Sequence, residues 1–376
     1  MAIPTIIIQT YILSQFILPF VNAQSTTNPG SPLCTSSTPG SYDLGLHIVS
    51  VFVLLVASAI GVFLPVFMAG NVHEKSSSAS KRDEWVRRVF FVLKYFGTGI
   101  IISLAFCHLL QESFENFSNP CIGTLEYRPT APAIAMGSML VIWLVDYFSA
   151  RWATLHDQSH PTPDLPKPIP IPLTTSNDNS TISPSINEIQ PAPPPVFQDL
   201  GCGHVYKPTA DELDPNSKRA HWDVELLEGG IIFHSIMIGV TLGAQTRGFE
   251  VTFAALVFHQ LFEGLGLGTR IGALVWKRSW TKWLMCTMYA LTTPIGIAIG
   301  IGVHQSFNEN GRRELIAIGV LNSISAGILL YGGLCQLLFA EWVIGDMRGT
   351  SNARVFSALT ALLLGVFAMA LIGKWT

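Results

Sequence analysis

The hydrophobic positions of this chain gather into long stretches with almost no charge. Eight of them lie near 47–69, 89–113, 132–154, 225–245, 250–275, 283–304, 314–339 and 355–373. Each is long enough to cross a bilayer as a helix, which takes roughly 20 residues. The pattern predicts an all-α polytopic membrane protein with eight transmembrane helices. A ninth, shorter apolar run, IIIQTYILSQFILPF, opens the chain and is followed by Val21-Asn22-Ala23, a small-residue cleavage site. Residues 1–23 therefore read as a secretory signal peptide. The usual basic n-region is missing, and the competing reading is an uncleaved extra span.

The polar stretches complete the division. Residues 24–46 form an N-terminal segment outside the membrane, 47–154 hold helices 1–3, and 223–376 hold helices 4–8. Between them, 155–222 is rich in Pro, Ser, Thr and Asn. Such a sequence buries too little apolar surface to offset its ordering entropy, so a disordered loop is expected. Only 12% of residues are charged and 49% are hydrophobic, against about a quarter charged in a globular chain. The mean hydropathy is +0.42. A net charge of −3 leaves no basic footprint for nucleic acid.

Positive charge orients the spans. The connections on one side carry sixteen Lys and Arg, six of them between Lys75 and Lys94; the other side carries five, and Arg270 falls inside a span. The heavy side is expected to be cytosolic, with both termini of the mature chain extracellular. That topology places the sequon Asn116-Phe117-Ser118 outside, where a glycan acceptor is usable. It also places Cys34 and Cys121 in a disulfide-permissive compartment, although their proximity is not legible from sequence. The six cysteines form no CxxC pair, which argues against a zinc finger or redox motif. Cys202 and His204 in the Pro-rich loop are a candidate cytosolic metal site, competing with ordinary loop residues.

Ionisable side chains inside hydrocarbon cost about 2.5–3.5 kcal/mol or more and are functional candidates by default. The strongest group lies in the fourth span, HSIMIGVTLG, with His234 and Ser235, and the fifth, HQLFEGLGLG, with His259, Gln260 and Glu263. Helix rise puts His234 about 14 Å into its span, and His259 at a matching depth from the other side. Glu263 follows His259 by one turn, on the same helix face. Two imidazoles and a carboxylate suit zinc, and iron or manganese accept the same ligands. His108 and Glu112 in the second span, also four apart, are expected as an outer entry pair, with an interfacial pair of no transport role as the competing reading. Asp146 in the third span is a candidate for the exit path or for pairing with a neighbour.

At these residues the sequence resembles the ZIP family of metal transporters, in its plant and fungal plasma-membrane branch. The likeness rests on HSIMIG, HQLFEG, TTPIGIAIG and FCHLL, with the extracellular run PCIGTLEYRPTAPAIAM. It implies a bundle with two inverted three-helix repeats around helices 4 and 5, and uptake of zinc or a related divalent ion into the cytosol. It maps the family's primary site onto His234, His259 and Glu263, with Ser235 and Gln260 at neighbouring positions. Two positions depart from the pattern: a Glu of some relatives is Ile238 here, and an Asp is Gln260. One central metal, not two, is therefore expected. The implied partners are the zinc ion (with iron, manganese and cadmium as alternatives), the bilayer and, as an option, a second copy in a homodimer. Zinc enters as transported substrate and no catalytic cofactor is expected. The competing readings are a metal-sensing receptor and an intramembrane metallohydrolase. The hydrolase reading lacks the HExxH motif in which two His bind zinc beside a Glu base.

Overall fold

A computed structural model describes residues 34, 42–73, 81–123, 125–157, 218–305, 308 and 310–375. The expected signal peptide, most of the Pro-rich loop, and with it Cys202 and His204, lie outside the described residues. Those residues hold eight helices long and apolar enough to cross a membrane, and no strand. In chain order they are α1 (Leu44–His73), α2, α3 (Thr130–Asp157), α4 (Lys218–Ala244), α5 (Phe249–Ala273), α6 (Ser279–Val303), α7 and α8 (Asn352–Ile372). Two are composite. Helix α2 starts as an α-helix over Lys81–Ser103, widens into a π-helix over Leu104–Leu110, and resumes over Gln111–Ser118. Helix α7 is α-helical over Arg312–Tyr331 and π-helical over Gly332–Ile344. Both run farther than the hydrophobic blocks suggest.

Apolar side chains such as Phe52, Phe67, Phe148, Phe356 and Phe367 point outward. Exposed hydrocarbon on this scale fits a lipid-facing surface and leaves close contact between the helices to smaller residues. Lipid tails are as apolar as leucine, so helix association relies on van der Waals packing through small side chains. The contacts follow that rule. Gly61 of α1 lies against Gly264 of α5; a Cβ on Gly61 would stand 2.6 Å from the Leu261 carbonyl oxygen. Gly239 and Gly243 of α4 meet Gly296 and Gly300 of α6, backbone to backbone. Gly99 of α2 lies on Leu362 of α8, and Gly327 of α7 on Ala135 of α3.

The pairing has a symmetry. Helix α1 packs on α5 and α6, α6 on α4 and α1, α2 on α8 and α5, and α7 on α3 and α4. Exchanging α1 with α6, α2 with α7, α3 with α8 and α4 with α5 reproduces the same set. Each exchange pairs helices that cross in opposite senses, so the repeats are inverted, as the resemblance implies. The exchanged helices also share irregularities: α1 and α6 carry Pro65 and Pro294, and α2 and α7 carry the π-helical segments. The α4–α5 pair sits on the axis, with α2 and α7 closing over it.

Two ends can be distinguished. A disulfide joins Cys34 to Cys121 at the end where α2 meets α3. The opposite end carries the basic connections.

Candidate metal centre

The second span presents a different face after its π-helix. A π-helical turn closes on i+5 rather than i+4, which widens the helix and shifts the residues it presents; such segments often occur at functional sites. Here the segment LAFCHLL turns His108 inward, to 6% exposure. Its ring meets His234 of α4 edge-on at 5.1 Å between centroids and His259 of α5 at 4.9 Å. His234 and His259 stand 5.7 Å apart. Each of the three offers one nitrogen such that all lie within 4.8 Å of one another. A tetrahedral zinc with Zn–N bonds of about 2.0–2.1 Å holds its nitrogens roughly 3.3 Å apart. Side-chain rotations of about 1 Å close these rings to that distance.

Glu263 lies one turn beyond His259, toward the basic end. It is fully buried, as are Ser235, Gln260, His234 and His259. Its Oε2 lies 3.5 Å from the Ser235 hydroxyl and 3.4 Å from that of Tyr289 in α6. Its Oε1 has no hydrogen-bond partner, nor do Nε2 of His234, either ring nitrogen of His259, or Nε2 of Gln260. Leaving buried polar atoms unpaired costs about 1–3 kcal/mol each, more for a charged group. Several orphans at one point, all of them metal-ligand types except the amide, fit a cation. Gln260 is held from its other atom: Ser58 of α1 donates to its Oε1 at 3.3 Å, and the Tyr289 hydroxyl reaches its backbone oxygen at 2.7 Å.

The expected entry pair is divided by this geometry. His108 stands with His234 and His259 rather than at an outer position, because α2 continues to Ser118 and buries it. Glu112 is one turn nearer the disulfide end and is influenced by Asn322 of α7. The same Asn322 lies 3.5 Å from Nδ1 of His234. Glu112, the three imidazoles and Glu263 thus descend in order through the bundle. Asp146 is not brought to this column: it is buried on α3 and accepts a 2.6 Å bond from the Tyr331 hydroxyl of α7. Asn116 lies in the last turn of α2 with its Nδ2 buried, so a glycan on that atom requires the turn to open.

Tyr289, Asn322 and Ser58 also surround the centre, and none of them is among the residues expected from sequence. Asn322 has a signal, as a polar side chain deep in the seventh span. Tyr289 and Ser58 have none, since both residue types are ordinary in membrane helices. A further feature is an ion cluster nearer the basic end. Arg270 of α5, 4% exposed, pairs with Glu341 of α7 and donates to the Thr98 hydroxyl of α2. Lys94 joins Glu341 at 3.0 Å.

An inverted-repeat helical bundle with a buried column of imidazoles and carboxylates along its axis has the build of a membrane metal-ion transporter. The chain belongs to the ZIP zinc transporter family, whose model matches residues 44–373. It is 36% identical to "Zinc-regulated transporter 1" of Candida albicans over 335 residues, 89% of this chain and 62% of that protein. It is 31% identical to "Zinc-regulated transporter 2" of Saccharomyces cerevisiae, covering 91% of this chain and 97% of that one. It is also 32% identical to "Fe(2+) transport protein 1" of Arabidopsis thaliana, over 88% and 86% of the two chains. The chain is an integral membrane protein that transports zinc.

Proposed function

We propose that the protein takes zinc from outside the cell into the cytosol through a single site formed by His108, His234, His259 and Glu263. The observation that carries this is the convergence of three buried imidazoles from α2, α4 and α5, with ligand atoms within 4.8 Å. Ser235 and Gln260 line the same point and complete the coordination together with water. Glu112 passes the ion inward from the disulfide end. Fe2+ is a second cargo: these ligands accept it, and one relative is named for Fe(2+) transport. The Cys34–Cys121 disulfide supports an extracellular assignment of its end, since such bonds persist in oxidising compartments. The basic connections then lie in the cytosol, as the charge rule requires, and both ends of the spanning region face outward at the plasma membrane. No GxxxxGK[ST] phosphate loop occurs in the chain, which argues against direct ATP coupling; uptake is gradient-driven, with access alternating around a fixed midplane site.

The test is zinc tracer uptake in cells lacking their own transporter. His234→Ala and Glu263→Ala should reduce uptake to background while surface labelling stays normal. Normal uptake by either variant at normal surface level overturns the site. Competition by Fe2+ and Mn2+ in the same cells ranks the cargoes.

A further inference from the structure

A second buried carboxylate lies below the centre. Glu228 is on α4, six residues before His234, which puts it about 9 Å nearer the basic end. It is 6% exposed, and its Oε1 has no hydrogen-bond partner. The residues around it, Val224, Leu227 and Ile231, belong to the main apolar cluster. A bare carboxylate in such a place is expensive unless a cation or a proton accompanies it.

The glycine contacts identify what faces it. Gly239 lies on Gly296 and Gly243 on Gly300, so α4 and α6 run in the same direction in fixed register. Eleven residues make three helical turns. Three turns back from Gly239, on the same face of α4, stands Glu228. The same step back from Gly296 on α6 reaches Met285 and Cys286. Cys286 is a free thiol with no exposed surface, and it interacts electrostatically with Glu228. It is also tied to the centre: Tyr289, one turn on, is the residue whose hydroxyl reaches Glu263. Beyond Glu228 toward the basic end, Glu225 acts on it electrostatically.

We propose that Glu228 and Cys286 form a second binding site for borderline-soft divalent cations such as zinc, on the route from the central imidazoles to the basic end. Carboxylate and thiolate are both zinc ligands. The thiol releases its proton to solvent as the cation binds, and the cation supplies the partner that the Glu228 carboxylate lacks. The site is a relay: it holds the ion weakly after it leaves Glu263 and hands it on past Glu225. The inference rests on the transport reading for its role, but the existence of the site does not.

Cobalt(II) is the probe, because a thiolate ligand gives it a near-ultraviolet charge-transfer band that imidazole and carboxylate do not. Purified protein carrying His234→Ala, which disables the centre, is titrated with Co2+. The band should appear, vanish in Cys286→Ser, weaken strongly in Glu228→Gln, and persist in Cys107→Ser, Cys202→Ser and Cys335→Ser. A band absent from the parent, or surviving Cys286→Ser, overturns the proposal. Should Cys286→Ser fail to fold, Glu228→Gln decides, since it keeps size and polarity: an undiminished band with Glu228→Gln also overturns it. Zinc uptake read in parallel with the centre intact should show a lower maximal rate in Glu228→Gln with little change in KM. An unaltered rate removes the relay role. Failure of the central site would instead appear as uptake surviving His234→Ala, with the cobalt band unaffected.

Discussion

Replacing Gly243 by alanine tests whether the α4–α6 contact holds the centre together. A Cβ there would stand 2.3 Å from the Ile297 carbonyl oxygen and 3.0 Å from the Gly300 Cα. Ordinary contacts begin near 3.4 Å, so the helices must part by about 1 Å. Carbon atoms separated by such a gap forfeit roughly a quarter to a half of their attraction. Neither obstacle is the end of a flexible side chain; both are backbone. Overpacking of this kind costs about 1–3 kcal/mol. The gain in helix propensity from Gly to Ala, about 1 kcal/mol, offsets part of it. Gly302→Ala is the internal control, because nothing lies within 4 Å of its Cβ and it makes the same gain. The difference between the two variants therefore isolates the packing cost, about 1–3 kcal/mol. At about 2 °C per kcal/mol, the apparent melting midpoint of Gly243→Ala in detergent should fall roughly 2–6 °C below that of Gly302→Ala. Zinc uptake per surface molecule should fall with it, since α4 carries His234 and α6 carries Tyr289. Equal midpoints for the two variants would refute the reasoning.

Three further outcomes follow from the same geometry. His108→Ala should abolish zinc uptake as fully as His234→Ala, whereas Glu112→Gln should mainly raise KM; a His108→Ala variant with intact uptake removes that residue from the centre. Glu341→Gln leaves Arg270 buried without its carboxylate partner, a change worth about 3–5 kcal/mol, and should lower the melting midpoint markedly, with Arg270→Met combined with Glu341→Leu recovering much of the loss. A single variant that melts like the parent refutes this. Cys34→Ser removes a cross-link spanning 87 positions, which loop entropy values at no more than about 4–5 kcal/mol; the midpoint should drop, and reduction of the parent should reproduce the drop, while identical melting before and after reduction would deny the bond any role in stability.

Much of this molecule is legible along the chain. The eight spans follow from hydrophobic length, because a helix is the simplest way to satisfy every backbone group in hydrocarbon. His234, His259 and Glu263 stand out because ionisable groups at that depth are rare. His108 is only half legible. Its residue type and its spacing to Glu112 mark it, yet counting residues from the edge of the apolar block puts it near the surface. The block ends early where polar residues of the last turns begin, and a π-helix changes the face on which later residues lie. Neither effect has a signature in hydropathy. Cys34 and Cys121 are likewise visible as cysteines outside the membrane, but their pairing depends on how the N-terminal segment returns to the α2–α3 connection.

By itself the sequence determines which stretches enter the bilayer and which residue types are placed at depth. Those properties depend on local composition against a fixed hydrocarbon thickness. The tertiary structure alone decides which helices touch. The glycine contacts of α1 with α5 and of α4 with α6 set the register in which Tyr289 meets Glu263. The crossing of α2 and α7 over that pair brings His108 and Asn322 to His234. A metal site needs ligands a few ångströms apart, and here they come from three separate helices, with His108 more than a hundred positions before His234. Only the packing of backbones against one another creates that proximity.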